Sequence, residues 1–184
     1  MAKIGQEAES VLTLTNPVSF SGHCLPIRKG PRPRTTVYPL HVQSTDHGDQ
    51  IYLDRLINDV LAWPQIDSTI AFASQDSISV RVKEDAATND PATFITDTEF
   101  ARIIITLPTI YLSLPLVWAH WAIVRGWAEP HHHRCFGTMP PGAVLIYTPK
   151  NREELAVCYF PFFQAYDCCV QHRSEINGSA HRDG

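Results

Sequence analysis

Between residues 103 and 124 the chain carries no formal charge, yet Pro108 and Pro115 cut this run into three pieces. An unbroken apolar run of that length meets the requirement for a membrane-spanning helix. Each proline lacks an amide hydrogen and disfavours helical geometry in the residue before it, so the run does not read as one helix. The pieces 103–107 and 110–114 are short and β-favouring, and each reads as a buried strand. The third piece begins at Pro115, a favourable residue for a first helical turn, and is apolar all round. It predicts a helix over 115–126 that is buried on several sides, lines a hydrophobic pocket or forms an oligomer contact. Two strands and a short helix are therefore expected here, and a membrane span is not.

The remaining chain arranges itself around this segment. Residues 1–50 show little periodicity, and the basic, proline-rich stretch from Arg28 to Arg34 reads as part of an extended, poorly ordered arm. Its charges suit solvation, or a docking patch for an acidic partner. Order is expected from near Ile51: Leu53, Leu56, Ile57, Val60 and Leu61 fall at helical spacing, and Pro64 ends that helix. Strands follow at 69–73 and 77–82, with Gln75 and Asp76 at hairpin distance. Residues 84–98 read as a solvated loop, and strands at 99–106 and 109–114 meet at Pro108.

Further on, 143–147 reads as a short buried strand, and Asn151 with Glu154 has capping-box spacing for a last helix. Leu155, Cys158, Tyr159, Phe162 and Tyr166 form its expected core stripe, with a kink at Pro161. Residues 171–184 read as a frayed polar tail. A chain of 184 residues with this pattern predicts a single α+β domain over 51–170, with a mainly antiparallel sheet of about five strands against about three helices.

Charge and cysteine content narrow the function classes. A net charge of -4 supplies no electrostatic footprint for nucleic acid. The five cysteines are odd in number and show no CxxC, which suits a reducing compartment. The N-terminus lacks the apolar core of a secretory signal, so a cytoplasmic location is expected.

Chemistry concentrates in residues 126–141, where Glu129, His131, His132, His133 and Arg134 fall almost side by side. Glu129, His131 and His133 alternate with period two, so an extended segment points all three to one face. That set could supply an open metal site. It could equally supply an acid–base pair, Glu129 and His131, with the carboxyl's proton affinity raised beside the apolar Trp127. A surface loop whose Glu129 caps a turn or pairs with an arginine is the plain alternative. Arg102 or Arg125 could hold a developing enolate or carboxylate. His120 reads as a core histidine or a base, and Tyr111, Tyr147 and Tyr166 as core aromatics whose hydroxyls reach an edge. Cys135 beside Arg134 is a weaker candidate nucleophile.

The segments Leu61-Ala-Trp-Pro64, Arg125-Gly-Trp-Ala-Glu-Pro-His131 and the run from Pro141 to Leu155 resemble the luciferase domain family of small fungal and bacterial proteins, over residues 51–170 and in the family's order. The resemblance implies a polar centre in which a His-x-His on the strand near residue 100 joins a Glu-x-His. Glu129 and His131 match the latter, whereas Arg102 and Ile104 stand in the histidine positions. It does not imply a light-emitting reaction.

The expected function is an accessory enzyme of small-molecule biosynthesis that cyclises, isomerises or dehydrates a hydrophobic intermediate without a redox cofactor. Glu129, His131 and Arg102 are the expected catalytic groups, and Trp127, His120, Tyr111 and Arg125 the expected substrate contacts. A non-catalytic binding or homodimerisation module, and a metal-dependent enzyme using Glu129, His131 and His133, remain as alternatives.

Overall fold

A computed structural model describes residues 25–29, 47–67, 72–74, 76–105, 109–131, 133 and 137–170. Helix α1 (His47–Leu61) opens the ordered domain. Its stripe Leu53, Leu56, Ile57 and Val60 is buried, as helical spacing requires of residues three and four apart. Strands β1 (Phe72–Ser74), β2 (Ser77–Arg81), β3 (Glu99–Ile104) and β4 (Thr109–Ser113) then form a meander. Helix α2 (Leu116–Val124), strands β5 (Ala128–Pro130) and β6 (Ala143–Ile146), and helix α3 (Arg152–Cys169) follow. Among the described residues the sheet runs β1-β2-β3-β4-β6-β5, and every neighbouring pair is antiparallel.

Strand pairing sorts the side chains into two faces. Ile78, Ile103, Ile110, Ile146 and Ala128 stand side by side across β2, β3, β4, β6 and β5. In the adjacent row Val80, Ala101, Leu112 and Val144 do the same. All nine are buried in one core with residues of α1, α2 and α3, and each larger one contributes roughly 2 kcal/mol relative to exposure. The three helices thus cover one face, an α+β layering in which period-two strands meet period-3.6 helices.

Two glycines shape the route to the site. Gly126, at φ 81°, follows α2 in a Schellman arrangement: its N–H bonds Ile123 O at 3.1 Å, and Trp127 N–H bonds Ala122 O at 2.8 Å. The chain is thereby turned from α2 directly into β5. Gly142 lies so close to β4's end that a Cβ there would sit 1.6 Å from Leu114 O, which only glycine permits.

The fold class and the split of 103–124 into β3, β4 and α2 agree with the sequence reading, and no helix among the described residues is long and apolar enough to cross a membrane. Several local expectations are corrected. The sheet has a sixth strand, β5, inside the His-rich stretch, where the sequence marks an extended segment but no strand of the sheet. Residues 84–98 are more than a solvated loop, since two 3-10 turns lie within them and Phe94 is buried. Helix α3 runs unbroken through Pro161, held by buried Cys158, Phe162, Ala165 and Cys169. Its core stripe includes Ala165 and Cys169, whereas Tyr159 and Tyr166 are half-buried and bond outward to Asp59 and Pro64 O.

The largest correction concerns the N-terminal arm. Leu25 sits in the core and Arg28 is buried, so residues 25–29 pack against the domain; residues 30–46 and the expected tail lie outside the described residues.

Candidate functional site

The second face of the sheet carries the polar candidate residues. In the row between the two apolar ones, Ser79, Arg102, Tyr111, Leu145 and Glu129 stand side by side on β2, β3, β4, β6 and β5. In the next row of this face Ser113 pairs with Ala143, whose carbonyl accepts from His131 N–H at 3.1 Å. Because strand residues two apart share a face, the side of the sheet opposite the three described helices brings together Arg102, Tyr111, Glu129, His131 and Ser113. The sequence reading of Glu129 and His131 on one face thus agrees with the pairing of β5 and β6.

Glu129 is fixed by a residue from the neighbouring strand. Tyr147 lies just beyond β6, and its N–H bonds Trp127 O at 3.0 Å, extending the pairing past the strand ends. Two residues after Leu145, its side chain falls on the same face, and its hydroxyl donates to Glu129 Oε1. A tyrosine expected as a core aromatic whose hydroxyl reaches an edge is therefore the partner of the candidate base.

His131 is buried and packs edge-on against Tyr111, with ring centroids 5.0 Å apart. Its Nδ1 accepts from the His133 backbone N–H at 3.2 Å. That bond requires Nδ1 to be without a proton, so a neutral His131 carries its proton on Nε2 and acts there as a donor. His133 contributes through its backbone, with its ring 5.6 Å from that of His131. Burial pushes the Tyr111 phenol up from its ordinary value, against the opposing pull of Arg102, which keeps it a neutral hydrogen-bonding group near pH 7. Ser113 Oγ is buried with no hydrogen-bond partner among the described residues, an orphan hydroxyl on the His131 row.

Two arginine clusters flank this row. At the β5 end, Arg28 lies over the rings of Trp127 and Tyr147, at 5.7 and 5.2 Å, and pairs with Glu154 at 3.0 Å. Glu154 also accepts from Lys150 N–H at 3.1 Å, while Asn151 caps α3 by accepting from Glu154 N–H at 2.8 Å. Residues 25–29 are tied down further by Arg28 N–H to Arg125 O at 2.9 Å and Trp127 Nε1–H to Pro26 O at 2.6 Å. Beside these groups the buried Cys158 thiol is pushed up to about 12 by burial first and Glu154 second, with Arg28 opposing.

At the other end, Glu99 is wholly buried and receives both arms of Arg102, Nε at 2.6 Å and Nη2 at 2.7 Å. Its hydrogen bond from Arg102 raises that guanidinium's pKa, with burial opposing. Arg81 approaches the same carboxylate at 3.6 Å and donates from Nε to the buried Ser79 hydroxyl at 2.9 Å.

Not every sequence candidate comes to this face. His120, expected in the core, is exposed on α2 beside Trp121, because α2 buries only Ala119 and Ala122 toward the sheet. Arg125 stacks on Trp121 at 5.2 Å at the end of the same helix. Trp127 is buried and committed to Pro26, so it supports the site from behind. His132, Arg134 and Cys135 lie outside the described residues, among which no group of three or more His, Cys, Asp or Glu is placed to hold a metal ion.

The residues that sequence reasoning missed are Glu99, Arg81 and Ser113, whereas Arg28 and Tyr147 were read in other roles, as part of a basic arm and as a core aromatic with its hydroxyl at an edge. Local parity offered a signal for three: Arg81 shares the period of β2 with Ser79, Ser113 that of β4 with Tyr111, and Tyr147 the parity of Leu145. Comparison with protein-family models, curated proteins and solved structures found no match, so the geometry carries the functional reading.

Proposed function

We propose that the protein is a general acid–base enzyme of small-molecule biosynthesis, cyclising, isomerising or dehydrating a hydrophobic intermediate on the polar face of its sheet. The observation that carries this reading is the Tyr147 hydroxyl donating to Glu129 on the face where His131 meets Tyr111. Glu129 takes a proton from the substrate, and Tyr147 orients the carboxylate. His131, with its proton on Nε2, donates to the atom that gains negative charge. Residues two apart on a strand lie about 7 Å apart, a spacing that lets a base and an acid address neighbouring atoms of one small molecule. Tyr111 and Arg102 continue the row as polar groups for the rest of the substrate. Free Cys158, Cys168 and Cys169 suit a cytoplasmic location.

The test is conversion of a panel of enolisable polyketide- and terpenoid-type intermediates by wild type, Glu129→Gln and His131→Ala. Acid–base groups contribute about 10² to 10⁴ in rate, so each variant should lose activity on that scale while remaining folded, His131→Ala with a lower unfolding temperature for its lost packing on Tyr111. Equal turnover by all three proteins removes these residues from the mechanism.

A second reading rests on α2. Leu116, Val117 and Val124 are 61, 57 and 56% exposed, and they share one side of the helix with His120. Such a face suits a homodimer contact. Light scattering of wild type and Val117→Glu decides it: a dimer that the substitution dissociates supports a module built for assembly, and a monomer at all concentrations removes that reading.

A further inference from the structure

Arg102 and Arg81 converge on one carboxylate. Arg102 Nη2 and Arg81 Nη2 both approach Glu99 Oε2, at 2.7 and 3.6 Å. Glu99 is 0% exposed, whereas the Arg102 and Arg81 side chains retain 38 and 21%. The buried carboxylate offsets one of the two positive charges. Among the described residues the second is met only by Asp97, 3.6 Å from Arg81 and 76% exposed, where water screens the pair. The inner side of the cluster therefore has an excess of positive charge.

Both forks are held in position before any ligand arrives. Arg102 is gripped along its Nε–Nη2 edge by Glu99, and Arg81 by the buried Ser79 hydroxyl. Holding that edge leaves Arg102's Nη1 end directed away from Glu99, in the planar geometry that matches a carboxylate. Tyr111, the cross-strand partner of Arg102, carries a phenol at that position and touches His131 on its other side.

We propose that Arg81 and Arg102 form a carboxylate-binding subsite, and that the substrate is an apolar molecule bearing one carboxylate remote from its reacting carbon. Where that carbon lies rests on the acid–base reading of Glu129 and His131. Arg102 and Glu129 are three strands apart in one row, about 14 Å between backbones at the usual strand spacing. The carboxylate is thus a handle that sets register along the row, and the chemistry happens beyond Tyr111. Glu99 is a positioning residue in this scheme.

The experiment is isothermal titration of the full chain with decanoate and with decanamide, its neutral counterpart. Wild type, Arg81→Gln, Arg102→Gln and the paired Glu99→Gln/Arg102→Gln are compared, with thermal unfolding run on each. The paired variant leaves no uncompensated carboxylate, so it keeps the test open if Arg102→Gln alone fails to fold. Decanoate should bind wild type at least about ten-fold more tightly than decanamide, the worth of a hydrogen bond to a charged group. The arginine variants should lose that preference while their decanamide affinity stays the same. Equal binding of the two probes, binding of neither, or decanoate affinity unchanged in folded variants overturns the subsite. The Glu129→Gln variant separates the two ideas. Arginine-dependent decanoate binding alongside wild-type turnover by Glu129→Gln retains the subsite and removes the acid–base reading. An inactive Glu129→Gln with arginine-independent binding does the reverse.

Discussion

Arg28–Glu154 and Arg102–Glu99 are both close arginine–carboxylate pairs, but they bury opposite partners. In the first the guanidinium side chain is 3% exposed and the carboxylate 14%; in the second the carboxylate is 0% exposed and the guanidinium 38%. A buried cation needs a partner and aromatic faces around it, and Arg28 obtains Glu154, Trp127 and Tyr147. Its effect is to fasten residues 25–29 against the wall behind Tyr147. A buried anion instead holds its cation at the surface in fixed geometry, and Glu99 does this for Arg102. The same pair of side chains is a staple in one place and a presented fork in the other, and the difference lies in which member the fold desolvates.

The largest effect on that comparison should come from Glu99→Ala. It removes the carboxylate that, among the described residues, joins Arg102 to Arg81 and leaves two like charges converging, and loss of one member of a buried pair costs about 3–5 kcal/mol. Chemical denaturation measures it, and a cost below about 1 kcal/mol would place Glu99 among exposed pairs of little worth. Arg28→Met should cost less, about 2 kcal/mol, because Glu154 keeps the Lys150 N–H and some solvent access while Met fills the space over the two rings. It should also slow turnover without abolishing it, through looser placement of Tyr147.

Tyr147→Phe separates support from chemistry. The ring packing under Arg28 is retained and only the hydroxyl bonded to Glu129 is lost. A stability change of about 1 kcal/mol is expected, the ordinary worth of one hydrogen bond, with a fall in activity smaller than that of Glu129→Gln.

The smallest expected effect near neutrality is a pH response of two buried thiols, Cys158 beside the staple and Cys169 against the Thr93 carbonyl. Cys158 and Cys169 are both pushed up to about 12, chiefly by burial. A raised acid favours its neutral form in the folded state, so this stability is fully present below the ordinary thiol value of 9.0. It is lost as pH rises from there toward about 12, where the folded thiols also ionise. Denaturation midpoints across that window should fall, and Cys158→Ser/Cys169→Ser should flatten the decline. Midpoints that fall equally in that variant would assign the alkaline loss to other groups.

Periodicity and breakers made most of the fold legible. The stripe of α1, the alternation of β2, the division by Pro108 and Pro115 and the cap at Asn151 are local signals, and each element appears where they place it. Glu129 and His131 were legible for the same reason, since their two-residue spacing is the period of a strand. Arg28 was not. Between Pro26 and the prolines that follow, its local pattern is that of a solvated basic arm, and only docking against Trp127, Tyr147 and Glu154 reverses that. His120 fails in the opposite direction: an apolar helix promises burial on all sides, but the sheet covers only the Ala119 and Ala122 side.

The sequence by itself therefore determined the helices, all strands of the sheet but β5, and their order, because these follow from spacing along the chain. Which residues face one another across strands was decided by tertiary structure alone. Placing β6 between β4 and β5 sets Leu145 opposite both Tyr111 and Glu129, and brings the Tyr147 hydroxyl to the Glu129 carboxylate. Pairing register and desolvation depend on residues far apart in the chain, and no local window contains that information.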